Sequence, residues 1–325
     1  MYLDADDPRL LAIALRRELI AAGESDHSLA RALRSGELAR PRRGAYVDGA
    51  RWRAMNEEHQ YAVRARAAFR AANSEVALSH TSALPFLDSP LWGLDLGDVH
   101  LTRLDGKAGR REAGIRQHRG DVLDGDVISA HGLQLSSPVR ATLEVTTVGC
   151  VESGLIVANH FLHRGEFTKE ALGARYERSI ERWPGSLKTD LVIRLSDPRI
   201  ESPGETRTFY FLWARHFPRP EPQYEVYDDS ELIALLDFAL PEENVWIEFD
   251  GKVKYQKLLR EGEDATAVVL REKRREERVG EITGWRCLRV TWADLHYPDR
   301  LAARLQRLID SMASWSPAAN HIGNI

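Results

Sequence analysis

Little in this sequence points to chemistry done by thiols, membranes or bulk charge. Cys150 and Cys287 are the only cysteines, too few for a disulfide framework and without zinc-ligand spacing. No apolar run approaches the ~20 residues that a membrane-spanning helix needs, so no membrane partner is expected. The first twenty residues are charged rather than signal-like, which makes the cytoplasm the expected compartment. A net charge of −4 excludes nucleic-acid binding through overall charge and leaves that task to local basic patches. What remains is a soluble globular profile, 43% hydrophobic and 29% charged. At 325 residues, two or three domains are expected.

One stretch organises the rest, the run from Ile233 to Gly251. Its alternation predicts two strands joined by a turn at Pro241-Glu-Glu-Asn244. With Leu240 opposite Val245, counting outward sets Asp237 directly opposite Glu248, and facing Cβ atoms lie about 5 Å apart. Asp250 and Trp246 share that face by parity, while Leu236, Phe238, Leu240, Val245, Ile247 and Phe249 form a core face. Facing carboxylates repel, and a hard divalent cation such as magnesium would relieve them. The plainer alternative is an edge hairpin whose polar face meets water.

At the N-terminus, Asp7-Pro8 predicts a helix start, with Leu11, Leu15 and Leu19 on one face and Gly23 closing it. A second helix begins near Ser25 and ends at Gly36, and a hairpin follows with its turn around Arg42-Arg43-Gly44. That order is the outline of a winged helix-turn-helix. His27, Arg31 and Arg34 would face outward on the second helix, and Arg40, Arg42 and Arg43 would arm the wing. Only Glu37 opposes them nearby, and such a local excess is what phosphate binding needs. The segments Arg17 to Gly23 and Leu33 to Val47 resemble the N-terminal winged helix of AbiEi-type antitoxins. The likeness continues more weakly through Ser79-His-Thr-Ser-Ala83 and Ser137-Pro-Val-Arg-Ala-Thr-Leu143. It implies an operator-DNA-binding domain.

Residues 51–198 read as a mixed middle domain serving as scaffold. A helix is expected over residues 57–72, with short strands at residues 99–102, 114–118 and 126–128. Ser79 next to His80 is expected to cap a helix rather than to act as a nucleophile, since no glycine-flanked elbow surrounds it. His160 and His163 lack a third ligand nearby and are expected at the surface.

From residue 199 the pattern predicts helix, three antiparallel strands, helix, strand, helix, followed by a flexible tail over residues 313–325. Ser202 and Glu205 form a capping box with Pro203 at the first helical position. The segments Glu201-Ser-Pro-Gly-Glu205, Pro220-Glu-Pro-Gln223, Asp237-Phe238, Ile247 to Lys252, Glu272 to Glu276 and Gly284 to Leu295 resemble the Vsr-like branch of the PD-(D/E)XK restriction-endonuclease-like fold. The resemblance implies that Asp237 and Glu248 hold Mg2+ (or Mn2+), that Glu205 completes the acidic shell, and that a lysine assists. The usual lysine position is Asp250, so the cationic group would come from Lys252 or Lys254, which share the acidic parity, with Lys252 favoured.

The expected fold class is therefore α+β and multidomain. A winged helix spans residues 1–50, a mixed middle domain residues 51–198, and a restriction-endonuclease-like α/β domain residues 199–312. The expected function is magnesium-dependent DNA cleavage. The alternative is a non-enzymatic AbiEi-like regulator, whose nuclease-like domain binds DNA or pairs two copies as a homodimer.

Overall fold

The computed structural model describes residues 3–314 apart from 5, 180–182, 184 and 252–264. The fold is mixed α+β, with twelve α-helices and three sheets among the described residues. No helix there is long and apolar enough to cross a membrane. The chain divides into two compact units, Met1–Pro198 and Arg199–Ile325.

The N-terminal unit begins differently from the expected helix. Asp7 caps a single 3-10 turn, Pro8–Leu10, by accepting the Arg9 N–H at 2.8 Å. The chain then runs extended into β1 (Ala14–Leu15) before α1 (Arg16–Ala21). Leu11, Ile13 and Leu15 are all buried, a period of two rather than of four. Pairing of β1 with a later strand outweighs the helical spacing of the leucines, a tertiary override of local pattern. The second helix, α2 (Asp26–Ser35), has Ser25 as cap and Gly36 in the left-handed conformation past its end. The hairpin of β2 (Leu38–Arg42) and β3 (Ala45–Asp48) turns at Gly44, whose φ of +81° suits glycine. The first sheet has the order β1-β3-β2.

After α3 (Gly49–Ala54), helix α4 (Glu57–Ala71) is shared by two cores. Val63 and Ala67 pack with Leu11, Ile13, Leu15, Ala45 and Val47. Tyr61, Ala62, Ala65 and Ala68 pack with the second sheet. Small residues on both faces let a single helix fill both. That sheet comprises β4 (Val76–Leu78), β5 (Val99–Arg103), β6 (Arg111–Glu112), β7 (Ile115–His118), β8 (Val127–Ala130) and β9 (Leu133–Ser136), ordered β6-β7-β5-β4-β9-β8. Helices α5 (Pro138–Val148), α6 (Val151–His163), α7 (Lys169–Ser179) and α8 (Leu187–Leu195) complete the unit.

The C-terminal unit starts with α9 (Pro203–Ala214), followed by β10 (Glu221–Asp228), β11 (Glu231–Leu240) and β12 (Val245–Asp250). Then come α10 (Ala265–Thr283), β13 (Arg286–Thr291), α11 (Trp292–Leu295) and α12 (Pro298–Ala313). The sheet order is β10-β11-β12-β13, antiparallel except for the parallel β12–β13 pair. Asn244, at φ +54°, closes the turn between β11 and β12, and Leu240 pairs with Val245. Both faces are covered. Phe209 of α9 meets Phe238 at 6.3 Å, and Val279 of α10 clusters with Trp246, Val226 and Ala234 on the other side. Leu236 joins the Trp246 cluster, not the Phe238 face that strict alternation assigned to it. The pairing of β10 with β11 skips Gln223 opposite Asp237, and Gln223 takes a positive φ of 52°. A local twist there carries Leu236 to the other side.

Candidate functional site

The acidic hairpin is assembled by the strand register. The β11–β12 register runs from Leu240–Val245 to Phe238–Ile247, and Asp237 and Glu248 are the next residues outward on the two strands. Asp237 is buried, and its Oδ2 accepts the Phe249 N–H at 2.7 Å, which fixes the carboxylate across the strand pair. Glu248 lies 3.2 Å from the Arg275 guanidinium, contributed by α10. This ion pair offsets the repulsion that sequence reasoning assigned to a cation. Arg275 was not singled out in the sequence, because one arginine among the many charges of α10 carries no distinguishing pattern. Asp250 is half-buried at the end of β12, opposite Thr291.

Glu205 is buried but works as a cap. Its Oε1 accepts the Ser202 hydroxyl at 2.7 Å, and its Oε2 accepts the Glu201 N–H at 3.0 Å. Gly204 lets the start of α9 lie on the Phe249 ring, since a Cβ there would overlap it. The motif thus anchors helix to strand beside the acids. Lys252 and Lys254 lie outside the described residues. Two opposed carboxylates are a donor set suited to a hard divalent cation, which commonly takes one or two carboxylates and completes its shell with water and phosphate oxygens.

A basic cleft of about 660 Å³ lies in the N-terminal unit. It joins Arg42 and Arg43 to Arg16, Arg17, Arg103 and Arg110, with Glu112 the one acid in its lining. Arg42 is half-buried, its Nη1 3.5 Å from the Ala67 carbonyl, and Arg43 is exposed. His27, Arg31, Arg34 and Arg40 are exposed on α2 and β2 and do not line this cleft. Arg103 and Arg110 escaped sequence reasoning because only the packing of the second sheet beside the hairpin brings them there.

The region read as scaffold holds a buried polar cluster. Glu144, fully buried on α5, accepts the Arg140 Nε–H at 2.7 Å, the Ser136 hydroxyl at 2.8 Å and the His80 N–H at 3.0 Å. Arg140 also donates to Asp126 at 2.6 Å, and Arg175 reaches the same carboxylate at 2.6 Å. Ser79 does not bond its own turn as a cap. Its hydroxyl lies 3.0 Å from His80 Nδ1, and His80 takes a left-handed φ of 51°, rare for a side chain of its size. His160, expected at the surface, is half-buried, and burial lowers its pKa to about 4.

His80, His100 and His118 bring their ring nitrogens within 4.8 Å of one another. Their rings do not suit a shared metal. His80 stacks on His118 at 3.8 Å with 19° between planes, and a ligating lone pair lies in the plane of its own ring. His100 Nδ1 and His118 Nε2, 2.9 Å apart, spend those atoms on a mutual hydrogen bond. Burial drives the three towards the neutral form, His80 well below the ordinary value, His100 to about 4 and His118 to about 2. The cluster could have been suspected from Val99-His-Leu-Thr102 and Ile115-Arg-Gln-His118, whose polar positions alternate onto one face.

Comparison with known proteins finds no matching family model, no matching curated protein and no matching solved structure.

Proposed function

We propose that the chain is a cytoplasmic DNA-binding protein whose C-terminal unit hydrolyses phosphodiester bonds with Mg2+ or Mn2+. The observation that carries this reading is the succession α9, β10–β12, α10, β13, with Asp237 of β11 bonded to the Phe249 N–H next to Glu248 on β12, and β13 parallel to β12. That order accords with the restriction-endonuclease-like resemblance of the sequence. When bound, the cation would polarise the scissile phosphate and lower the pKa of the attacking water. Asp237 and Glu248 would hold it. Asp237 keeps its orientation through the Phe249 N–H, and Arg275 stands beside Glu248 where it can contact a phosphate oxygen. Glu205 keeps the N-terminus of α9 in place by capping it. In the N-terminal unit, α1, α2 and the β2–β3 hairpin support a winged helix. In the cleft beside it Arg16, Arg103 and Arg110 are paired with Asp26, Asp105 and Glu112, and Arg17, Arg42 and Arg43 supply the local positive charge that duplex binding requires.

A second reading, a non-enzymatic regulator of the AbiEi type, is favoured by the Arg275–Glu248 pair, which compensates the acid within the chain. In that reading the C-terminal unit binds DNA or joins a homodimer. The deciding experiment incubates the full chain with duplex, mismatched, branched and single-stranded DNA, with and without Mg2+. Cleavage should require the cation and fall by about 100-fold or more in Asp237→Asn and Glu248→Gln, with duplex affinity unchanged. Tight duplex binding with no cleavage of any substrate would select the regulator.

A further inference from the structure

The N-terminal unit contains a separate cavity of about 250 Å³, which the proposed nuclease chemistry does not use. It is lined by the buried side chains of His80, Thr102 and Arg140, the exposed Arg116 and Arg119, and Trp183. Two of its polar atoms are enclosed and lack a hydrogen-bond partner, Arg140 Nη2 and Thr102 Oγ1. Enclosed polar atoms are nearly always paired, so two on one cavity call for a cause.

The remaining atoms of Arg140 are committed. Its Nε donates to Glu144, and its Nη1 donates to Asp126 and to the Asp121 carbonyl at 2.8 Å. The guanidinium is thereby locked, with Nη2 as the donor left over. Gly120 leaves room at this atom, because a Cβ there would stand 2.8 Å from Nη2 and 3.4 Å from Trp183. His80, held at positive φ, presents a polar ring to the same space.

Charge selects the ligand. Both oxygens of Glu144, the one acid lining the cavity, are occupied by Arg140, Ser136 and the His80 N–H. Arg140 and Arg175 are balanced by Glu144 and Asp126. Arg116 and Arg119 make no ion pair among the described residues, so the cavity retains two positive charges. A guanidinium N–H donates a charge-assisted bond to a phosphate oxygen, and a hydroxyl can donate a further bond to it.

We propose that this cavity binds a dianionic phosphate, free or as a small phosphate monoester, through Arg140 and Thr102 with Arg116 and Arg119 at its rim. The proposal does not depend on the nuclease reading.

Isothermal titration of the full chain with inorganic phosphate, adenosine 5′-monophosphate and adenosine tests it. Phosphate and the monophosphate should bind saturably, and adenosine should not. A monophosphate at least about tenfold tighter than phosphate identifies the ester as the ligand, whereas equal affinity identifies free phosphate; either supports the site. Thr102→Val should weaken binding about tenfold, the scale of one unmade buried hydrogen bond. The double variant Arg116→Ala/Arg119→Ala should weaken it at least as much and reduce its salt dependence. Both leave the Arg140–Glu144–Asp126 network in place, and an unchanged melting temperature would verify the fold. No binding by either phosphate ligand, or binding unaltered in both variants, would overturn the proposal, as would adenosine binding as tightly as its monophosphate.

Discussion

Glu144 and Glu248 are both carboxylates held by a helix-borne arginine, Arg140 one turn away on the same helix and Arg275 on α10 beside β12, yet their surroundings differ. The Arg140–Glu144 pair is sealed, with side chains 1% and 0% exposed, and hydrogen bonds from Ser136 and His80 complete it. The Arg275–Glu248 pair is 27% and 13% exposed, with the guanidinium 3.2 Å from the acid. A sealed ion pair has settled its desolvation cost through fixed partners and cannot exchange them cheaply. A partly exposed pair can trade an arginine for a cation or a phosphate at smaller cost than a sealed one. The first arrangement builds a wall for a site, and the second can itself be one.

Breaking the sealed pair should have the largest effect. Glu144→Ala leaves the buried Arg140 Nε–H without an acceptor, with Asp126 its one remaining carboxylate, and removes an acceptor from Ser136 and the His80 N–H, which should cost about 3–5 kcal/mol. Urea unfolding of the full chain, read by a probe in the N-terminal unit, measures it. A cost below about 1 kcal/mol would make the two pairs equivalent.

Acid should separate the units next. Burial holds His100 at about 4, below its unfolded value of about 6.5, so the unfolded chain binds the extra proton between these limits. Stability from this group is therefore complete above about pH 6.5 and is lost as pH falls towards 4. His100 alone accounts for about 3 kcal/mol, and its coupling to His80 and His118 means that the three do not add. Amide exchange over residues 76–148 should accelerate across that range, while exchange over residues 221–250 changes less. Equal acceleration in both stretches would contradict the assignment.

Magnesium should act on the open pair. At ten to a hundred times its dissociation constant, the cation should stabilise the C-terminal unit by about 1.4–2.7 kcal/mol, and Asp237→Asn should erase the increment. Asn retains an acceptor for the Phe249 N–H, so the fold should survive. Stabilisation of the variant equal to that of the parent protein would exclude the site.

The smallest effects belong to the arginines of the β2–β3 hairpin. Replacing Arg40, Arg42 and Arg43 together should flatten the slope of log affinity for duplex DNA against log salt by about one unit per lost contact. Arg42 should contribute least, because its guanidinium is drawn towards the Ala67 carbonyl. Adding Arg17→Ala, in the same cleft, should flatten it further.

Local patterns determined much of the C-terminal unit in the sequence itself. Asp237 and Glu248 adjoin the Phe238–Ile247 pair on two strands joined by a turn of four residues, so alternation and turn chemistry suffice to bring them onto adjacent strands. The Ser202–Glu205 cap and the ends of α2 at Ser25 and Gly36 are likewise short-range. Tertiary structure alone decided the rest. His80 reaches Glu144 across 64 positions, and His100 and His118 meet because β5 and β7 pair in parallel. The same strand pairing, with α5 packed over it, encloses polar positions that alternation alone assigns to solvent. The helix expected over residues 7–23 keeps only its second half, Arg16–Ala21, for a related reason, since β3 offers Ala14 and Leu15 a strand to pair with. Periodicity records what each segment prefers alone. Which segments meet is set by burial and hydrogen bonding across the whole chain, and that is where the cavity of the N-terminal unit arises.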